Sequence, residues 1–269
     1  MGRNLFLALI MSPFLLWQIP SEAQAPIPAD PHVLQQSGQA TRSQLPALIK
    51  ILVWNIQKAQ AGEAWQNDFL SLSSKSDLVL LQEGYRIETF NHATSQLRGF
   101  LWSFVTSFFH QGYETGVVIG SPSQPLKTFW LRSPGREPFV DSPKMTILSE
   151  FDLPERDDHL LVANIHAINF VTNGTFYEQI TPVLKAIEQH RGPVLFAGDF
   201  NTWNSARFTF VETRAAQLGL KIINFPEDPR RLVLDHVFYR GLKPQKARVL
   251  NQIESSDHFP LHLELSVEN

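Results

Sequence analysis

The sequence predicts a single α/β domain in which two packed β-sheets carry helices on their outer faces. Three observations lead there. About twelve short runs rich in aliphatic and β-branched residues are interleaved with four stretches of helical period. The 269 residues are 43% hydrophobic and 18% charged, enough apolar material for one large core. Neither an internal repeat nor an interior linker divides the chain.

The N-terminus has its own character. Met1-Gly2-Arg3-Asn4 carries a positive charge, and Leu5 to Trp17 is an apolar run of 13 residues broken by Ser12 and Pro13. Ser21-Glu22-Ala23-Gln24-Ala25 then supplies small residues for cleavage. Residues 1–23 read as a signal peptide cut after Ala23, because cutting after Ala25 would place Pro26 beside the bond. A secreted or periplasmic protein is expected. The alternative, an uncleaved membrane anchor, is disfavoured because a bilayer span needs about 20 apolar residues. Residues 24–45, rich in Pro, Ala, Gln and Ser, read as a flexible linker, and 46–269 as the folded domain.

Strands are predicted over 48–54, 77–82, 101–109, 116–120, 126–132, 144–151 and 159–165, then 194–197, 221–224, 232–239, 247–251 and 261–265. Helices are predicted over 65–74, 87–97, 176–190 and 205–218; in the third, Ile180, Val183, Leu184 and Ile187 recur at helical spacing. The 20 phenylalanines and 6 tryptophans read mostly as core.

Composition excludes several chemistries. With no cysteine there is no disulfide, zinc–thiolate site or thiol nucleophile. A net charge of −3 gives no general attraction to nucleic acid or anionic membranes, although a local basic patch stays open.

Polar residues interrupt five strands at their ends: Asn55, Gln82-Glu83, Asn164-Ile165-His166, Gly198-Asp199-Phe200-Asn201, and Ser256-Asp257-His258 before the last strand. Any one of them alone is more often a turn former than a functional group. Together, converging on one edge, they would make a polar pocket over an apolar floor. Glu83 offers a hard oxygen ligand, with Asn55 and Asp257 able to add others; magnesium needs only one or two such carboxylates. Asp199 is a second carboxylate beside the amide of Asn201, and a histidine oriented by a carboxylate is the usual proton carrier near neutral pH.

In this order, Val53-Trp54-Asn55, Leu81-Gln82-Glu83, Asn164-Ile165-His166, Gly198-Asp199-Phe200-Asn201, Leu234-Asp235-His236 and Ser256-Asp257-His258 resemble the endonuclease/exonuclease/phosphatase superfamily, over about residues 50–265. Its members include DNase I-like nucleases, apurinic endonucleases, neutral sphingomyelinases and inositol phosphatases. The resemblance implies a DNase I-like four-layer α/β sandwich and a Mg2+- or Mn2+-dependent phosphodiesterase. It makes Glu83 the main metal carboxylate, with Asn55 beside it and Asp257 near the ion. Asp199 positions or deprotonates the attacking water, Asn201 contacts phosphate, and His166 donates to a phosphate oxygen. His258 sits at the scissile phosphate, oriented by Asp235, which leaves His236 to packing. Whether Asp199 or His258 accepts the proton stays open.

Weaker candidates are Tyr85, Asn169, Lys144, Arg136 and Arg207, each equally or better read as rim, turn, surface or buttress. The expected substrate is a phosphodiester. Nucleic acid comes first, and phospholipid or sphingomyelin second, which exposed aromatics such as Trp102 and Phe108-Phe109 would suit. An exposed apolar hairpin would favour lipid, and a basic groove nucleic acid. A catalytically inactive binding module is the third reading, and the completeness of the residue set argues against it. No protein partner is legible, and a monomer is expected.

Overall fold

The computed structural model describes residues 25–268, so the signal peptide expected over residues 1–23 lies outside the described residues. The strands are β1 (Leu34–Gly38), β2 (Leu48–Asn55), β3 (Leu78–Tyr85), β4 (Leu101–His110), β5 (Tyr113–Ser121), β6 (Pro125–Arg132), β7 (Met145–Asp152), β8 (His159–His166), β9 (Val194–Asp199), β10 (Lys221–Ile222), β11 (Asp235–Arg240), β12 (Leu242–Val249) and β13 (Leu261–Val267). The helices are α1 (Glu63–Ser73), α2 (Glu88–Gln96), α3 (Asn173–Gln189) and α4 (Ser205–Gln217). A seven-stranded sheet runs β1-β4-β5-β3-β2-β13-β12, and a six-stranded sheet runs β10-β11-β9-β8-β7-β6.

Period-2 alternation explains the four layers. Along β2, Ile51 and Val53 enter the core between the sheets, while Leu52 and Trp54 face outward onto α1 and α2 with Trp65, Phe69 and Phe90. Along β8 and β9, Val162, Leu195 and Ala197 join the central core, while Leu161, Ala163 and Phe196 pack under α3 and α4. Both faces of each central strand are buried, which is why these strands read as continuous apolar runs. The helices start where their caps stand. The Thr172 side chain accepts from Thr175 N, and that of Asn204 accepts from Arg207 N, so α3 begins a turn earlier than its apolar stripe suggests.

Two parallel pairs, β2–β3 and β8–β9, place the ends Asn55, Gln82, His166 and Asp199 on one edge of the sandwich. β13 and β11 run antiparallel beside them and begin at that edge, with Leu261 opposite Val53 and Asp235 opposite Asp199. The polar strand ends therefore converge by topology.

Two expectations are corrected. The described part of the linker expected over 24–45, residues 25–45, is not a linker: β1 pairs with β4 through Leu34↔Val105 to Gly38↔Leu101, and Val33 and Leu45 are buried. Leu34-Gln35-Gln36-Ser37-Gly38 is polar because it forms a sheet edge, where side chains stay in water. Trp102 and Phe108 are buried, not exposed, and Trp102 packs against Phe69 and Phe100 under the helices.

Candidate active site

The Gly-Asp-Phe-Asn turn is shaped by close approach. Gly198 has φ of 134°, and a Cβ there would meet the Ile165 carbonyl oxygen at 2.0 Å, so only glycine lets β9 end against β8. Phe200 is buried against Phe196, Phe238 and His236, which anchors the turn. Asn201 takes a left-handed conformation, φ 48°. Asp199 is thereby fixed at both oxygens. Oδ1 accepts the Asn201 N–H at 2.9 Å, and Oδ2 accepts Asn55 Nδ2 at 3.0 Å. His166 Nε2 stands 3.6 Å from that Oδ2, and His258 Nε2 4.0 Å. Burial and then Asp235 raise the Asp199 pKa, with His258 opposing.

His258 occupies a loop stitched to the end of β2. Trp54 Nε1 donates to its carbonyl at 2.9 Å, while Ser256 Oγ donates to the Asn55 carbonyl at 2.7 Å and accepts His258 N at 3.3 Å. Its Nδ1 lies 2.8 Å from Asp235 Oδ2, so the expected cross-pairing is present. Burial favours the neutral ring, but Asp235, Asp199 and Asp257 outweigh it and raise the pKa to about 10. At neutral pH the ring is a cation that donates from Nδ1 to Asp235 and points Nε2 at Asp199.

His236 differs in every respect. It touches Phe200, Phe208 and Phe238, its Nε2 pairs with Thr202 Oγ1 at 2.7 Å, and burial pulls its pKa down to about 4.

Glu83 sits on a β-bulge. The β3–β5 register shifts between Leu81 and Gly84, and Glu83 has φ of 54°, which turns its carboxylate off the ladder. Lys58 forms an ion pair with it. Burial opposes ionisation, but the ammonium groups of Lys58 and Lys144 hold the Glu83 carboxyl below the usual carboxylate range. Burial first, then Lys144, holds the His166 pKa well below its ordinary value, so the ring is neutral.

Among the described residues, Asp199, Asp235 and His258 bring ligand atoms within 4.8 Å of one another. Because Asp235 Oδ2 is committed to a cationic imidazole, this trio suits proton handling better than metal ligation. Glu83 fits a hard divalent cation better: it is an oxygen donor on a β-bulge whose ion-pair partner, Lys58, is a flexible ammonium that a cation can replace, whereas the His258–Asp235 pair is held in place. Asn55 Oδ1 accepts the Gln57 N–H at 3.1 Å, and Asp257 is exposed, 3.4 Å from Ser256 Oγ.

The weaker candidates resolve structurally. Tyr85 donates to the His110 carbonyl at 3.0 Å, and Lys144 pairs with Glu137 at 3.2 Å. Asn169 Oδ1 accepts Trp203 Nε1 at 2.9 Å, and Arg136 pairs with Asp141. Arg207, fully buried, clamps the Ile168, Val171 and Asn201 carbonyls beneath the site. Asn164 lies inside the sandwich and ties the sheets together, donating to the Leu81 and Val118 carbonyls at 2.9 Å each. Sequence reasoning missed Lys58, whose approach to Glu83 depends on three consecutive left-handed residues, Gln57, Lys58 and Ala59. It also missed the Trp54 indole and Ser256 hydroxyl that seat His258. The Ser-Asp-His motif did hold a signal for Ser256, since a serine two residues before a turn residue commonly caps its backbone.

A UPF0294 protein from Vibrio campbellii is 33% identical over 237 residues, covering 86% of this chain and 79% of the relative. The endonuclease/exonuclease/phosphatase structure from Beutenbergia cavernae superposes with a TM-score of 0.62 at 16% identity, over 82% of this chain and 72% of that one. ANGEL2, a 2',3'-cyclic phosphatase, superposes with a TM-score of 0.65 at 13% identity, over 87% of this chain and 99% of that one. The two superpositions establish the shared fold. Residues 52–258 match the endonuclease/exonuclease/phosphatase family, a span that opens on the strand ending at Asn55 and closes on His258, so the chain belongs to that family.

Proposed function

We propose that this protein hydrolyses phosphodiesters with the help of magnesium or manganese. The observation that carries the reading is the row Asp235–His258–Asp199, with His258 tied at 2.8 Å on one side and facing a buried carboxylate on the other. Asp235 holds the imidazole so that Nε2 points into the site, the arrangement a phosphoryl-transfer site needs in a proton donor. Asp199, ringed by Asn55, His166 and His258, holds the attacking water and takes its proton. His258 donates to the phosphate or leaving oxygen, and neutral His166 donates a further hydrogen bond. Asn201 serves Asp199 through its backbone N–H, while its side chain donates to the Ala167 carbonyl at 2.8 Å, so its place is in positioning. Glu83 is the anchoring metal carboxylate, with Asn55 and Asp257 as further candidates. When bound, the cation neutralises charge on the phosphoryl oxygens. The leader-like residues 1–23 support a secreted or periplasmic location.

Hydrolysis of bis-p-nitrophenyl phosphate under Mg2+ or Mn2+, stopped by EDTA and restored by added metal, is the expected result. Glu83→Gln raises the metal concentration required for half-maximal rate by about tenfold or more. Absence of hydrolysis with any divalent metal removes the enzyme reading and leaves an inactive binding module on the same sandwich.

A further inference from the structure

Among the described residues, nine large apolar side chains are exposed: Leu48, Tyr113, Leu126, Phe139, Val140, Phe170, Trp203, Leu232 and Val233. Exposed apolar residues scattered singly are ordinary. These are not scattered. Leu48 opens β2 and Leu126 is the second residue of β6, both at the end of the sandwich away from the site. Of the other seven, Tyr113 opens β5 and six lie on loops, all around the catalytic edge. Tyr113 is on the β4–β5 hairpin, Phe139 and Val140 are between β6 and β7, and Phe170 follows β8. Trp203 follows β9, and Leu232 and Val233 precede β11.

Their loops are joined into one rim. Glu137 and Ser142 form an antiparallel bridge, which makes residues 137–142 a small hairpin with Phe139 and Val140 at its tip. Phe139 is 68% exposed and Phe170 62%, yet their rings meet edge-to-face at 5.4 Å. Glu137 Oε1 accepts the Asn169 N–H at 2.9 Å, Asn169 accepts the Trp203 indole N–H, and Thr202 Oγ1 donates to the Val233 carbonyl at 3.3 Å. The rim is thus held in place by hydrogen bonds while its apolar faces stay in water, an arrangement that marks a docking surface.

Charge selects the partner. Five cations of the mouth are matched, Lys58 with Glu83, Arg86 with Glu114, Arg136 with Asp141, Lys144 with Glu137 and Arg230 with Asp228, while Arg231, exposed beside Leu232, stands alone and makes no stripe. A mouth neutralised in this way offers no continuous cationic stripe to a polyanionic backbone. Apolar and aromatic side chains around a charge-balanced opening match the boundary of a zwitterionic bilayer instead, where aromatic rings sit between headgroups and chains. No helix among the described residues is long and apolar enough to cross a membrane.

We propose that the catalytic mouth docks on a phospholipid surface through Phe139, Val140, Phe170 and Trp203, bringing the site to phosphodiesters of lipid headgroups; the lipid-substrate part rests on the phosphodiesterase reading above. The test uses residues 24–269, the chain left after the expected cut, so that the apolar run Leu5 to Trp17 does not itself bind lipid; it is sedimented with phosphatidylcholine vesicles at low and high salt, alongside turnover of bis-p-nitrophenyl phosphate. Phe139→Glu combined with Phe170→Glu is compared with Leu48→Glu combined with Leu126→Glu at the far end. The mouth pair is expected to weaken vesicle partitioning by about tenfold or more and to leave soluble-ester turnover unchanged. The far-end pair is expected to partition as the wild type does, and salt to have little effect. Equal partitioning of the mouth pair and the wild type overturns the docking surface, as does an absence of vesicle binding by the wild type. Salt-sensitive binding of a single-stranded oligonucleotide that the mouth pair loses, in place of vesicle binding, assigns the rim to nucleic acid and overturns the proposal. Mouth-dependent vesicle binding without any ester hydrolysis keeps the docking surface and removes the phosphodiesterase reading.

Discussion

The chain contains the dipeptide Asp-His twice near its end, and the two copies do opposite things. His258 reaches away from its own neighbour, Asp257, to Asp235 of the other copy at 2.8 Å, and is held as a cation. His236, covalently next to that same Asp235, is turned among phenylalanines with Thr202 as its hydrogen-bond partner, and is held neutral. Asp235 heads a strand, so consecutive side chains point to opposite faces: Asp235 toward the site, His236 toward the helix-covered side. The pleat, not the dipeptide, decides which imidazole meets which carboxylate.

The largest expected effect breaks the functional half of this comparison. His258→Ala removes the donor facing Asp199, and kcat falls by about a thousandfold or more, while the far-UV circular dichroism spectrum is unchanged. Turnover near wild type would assign proton transfer elsewhere. Asp235→Asn keeps the ring's packing but removes the charge that holds it protonated, and kcat falls by about a hundredfold. Because the loss acts through His258, His258→Ala in the Asp235→Asn background adds much less than it does in the wild type; full additivity in the double mutant would separate the two residues.

How much of this was legible depends on what each feature rests on. The sandwich was legible because Ile51, Leu52, Val53 and Trp54 bury both strand faces, a pattern carried by local sequence. The site residues were legible because strand ends punctuated by carboxylate, amide and imidazole groups can only be gathered by topology, and parallel β2–β3 and β8–β9 gather them. β1 was not legible, since an edge strand needs few apolar residues and Leu34-Gln35-Gln36-Ser37-Gly38 has one. Nor was the exposure of aromatics. Trp102 and Phe108 lie beneath helices and strands brought from elsewhere in the chain, whereas Phe139 and Phe170 project from loops that nothing covers. Residue type is the same in both cases, and only the tertiary layering distinguishes them.

The smaller effects sharpen the comparison through stability. The folded-state pKa of His258 is raised from 6.5 to about 10, so its contribution is complete below 6.5 and is lost as pH rises through about 10. Thermal melts between those limits should show stability falling with pH in the wild type and falling less in Asp235→Asn. An identical slope in both would mean that Asp235 does not hold the charge.

His236 should give the mirror image. Its folded-state pKa is depressed from 6.5 to about 4, so the unfolded chain binds the extra proton between those values and stability is lost as pH falls from 6.5 toward 4. His236→Gln keeps a group able to pair with the Thr202 hydroxyl and cannot titrate. It should cost about 1 kcal/mol at pH 7 from altered packing, leave kcat within about threefold because the ring faces away from the site, and flatten the acid limb of the melting profile. Since Asp199, its pKa raised to about 7 by burial and then Asp235, also titrates on that limb, the diagnostic quantity is the difference between variant and wild type across pH 4 to 6.5. A difference that stays constant with pH would show that the buried imidazole accepts its proton as readily in the folded protein as in the unfolded chain, and the contrast between the two histidines would then lie in their position alone.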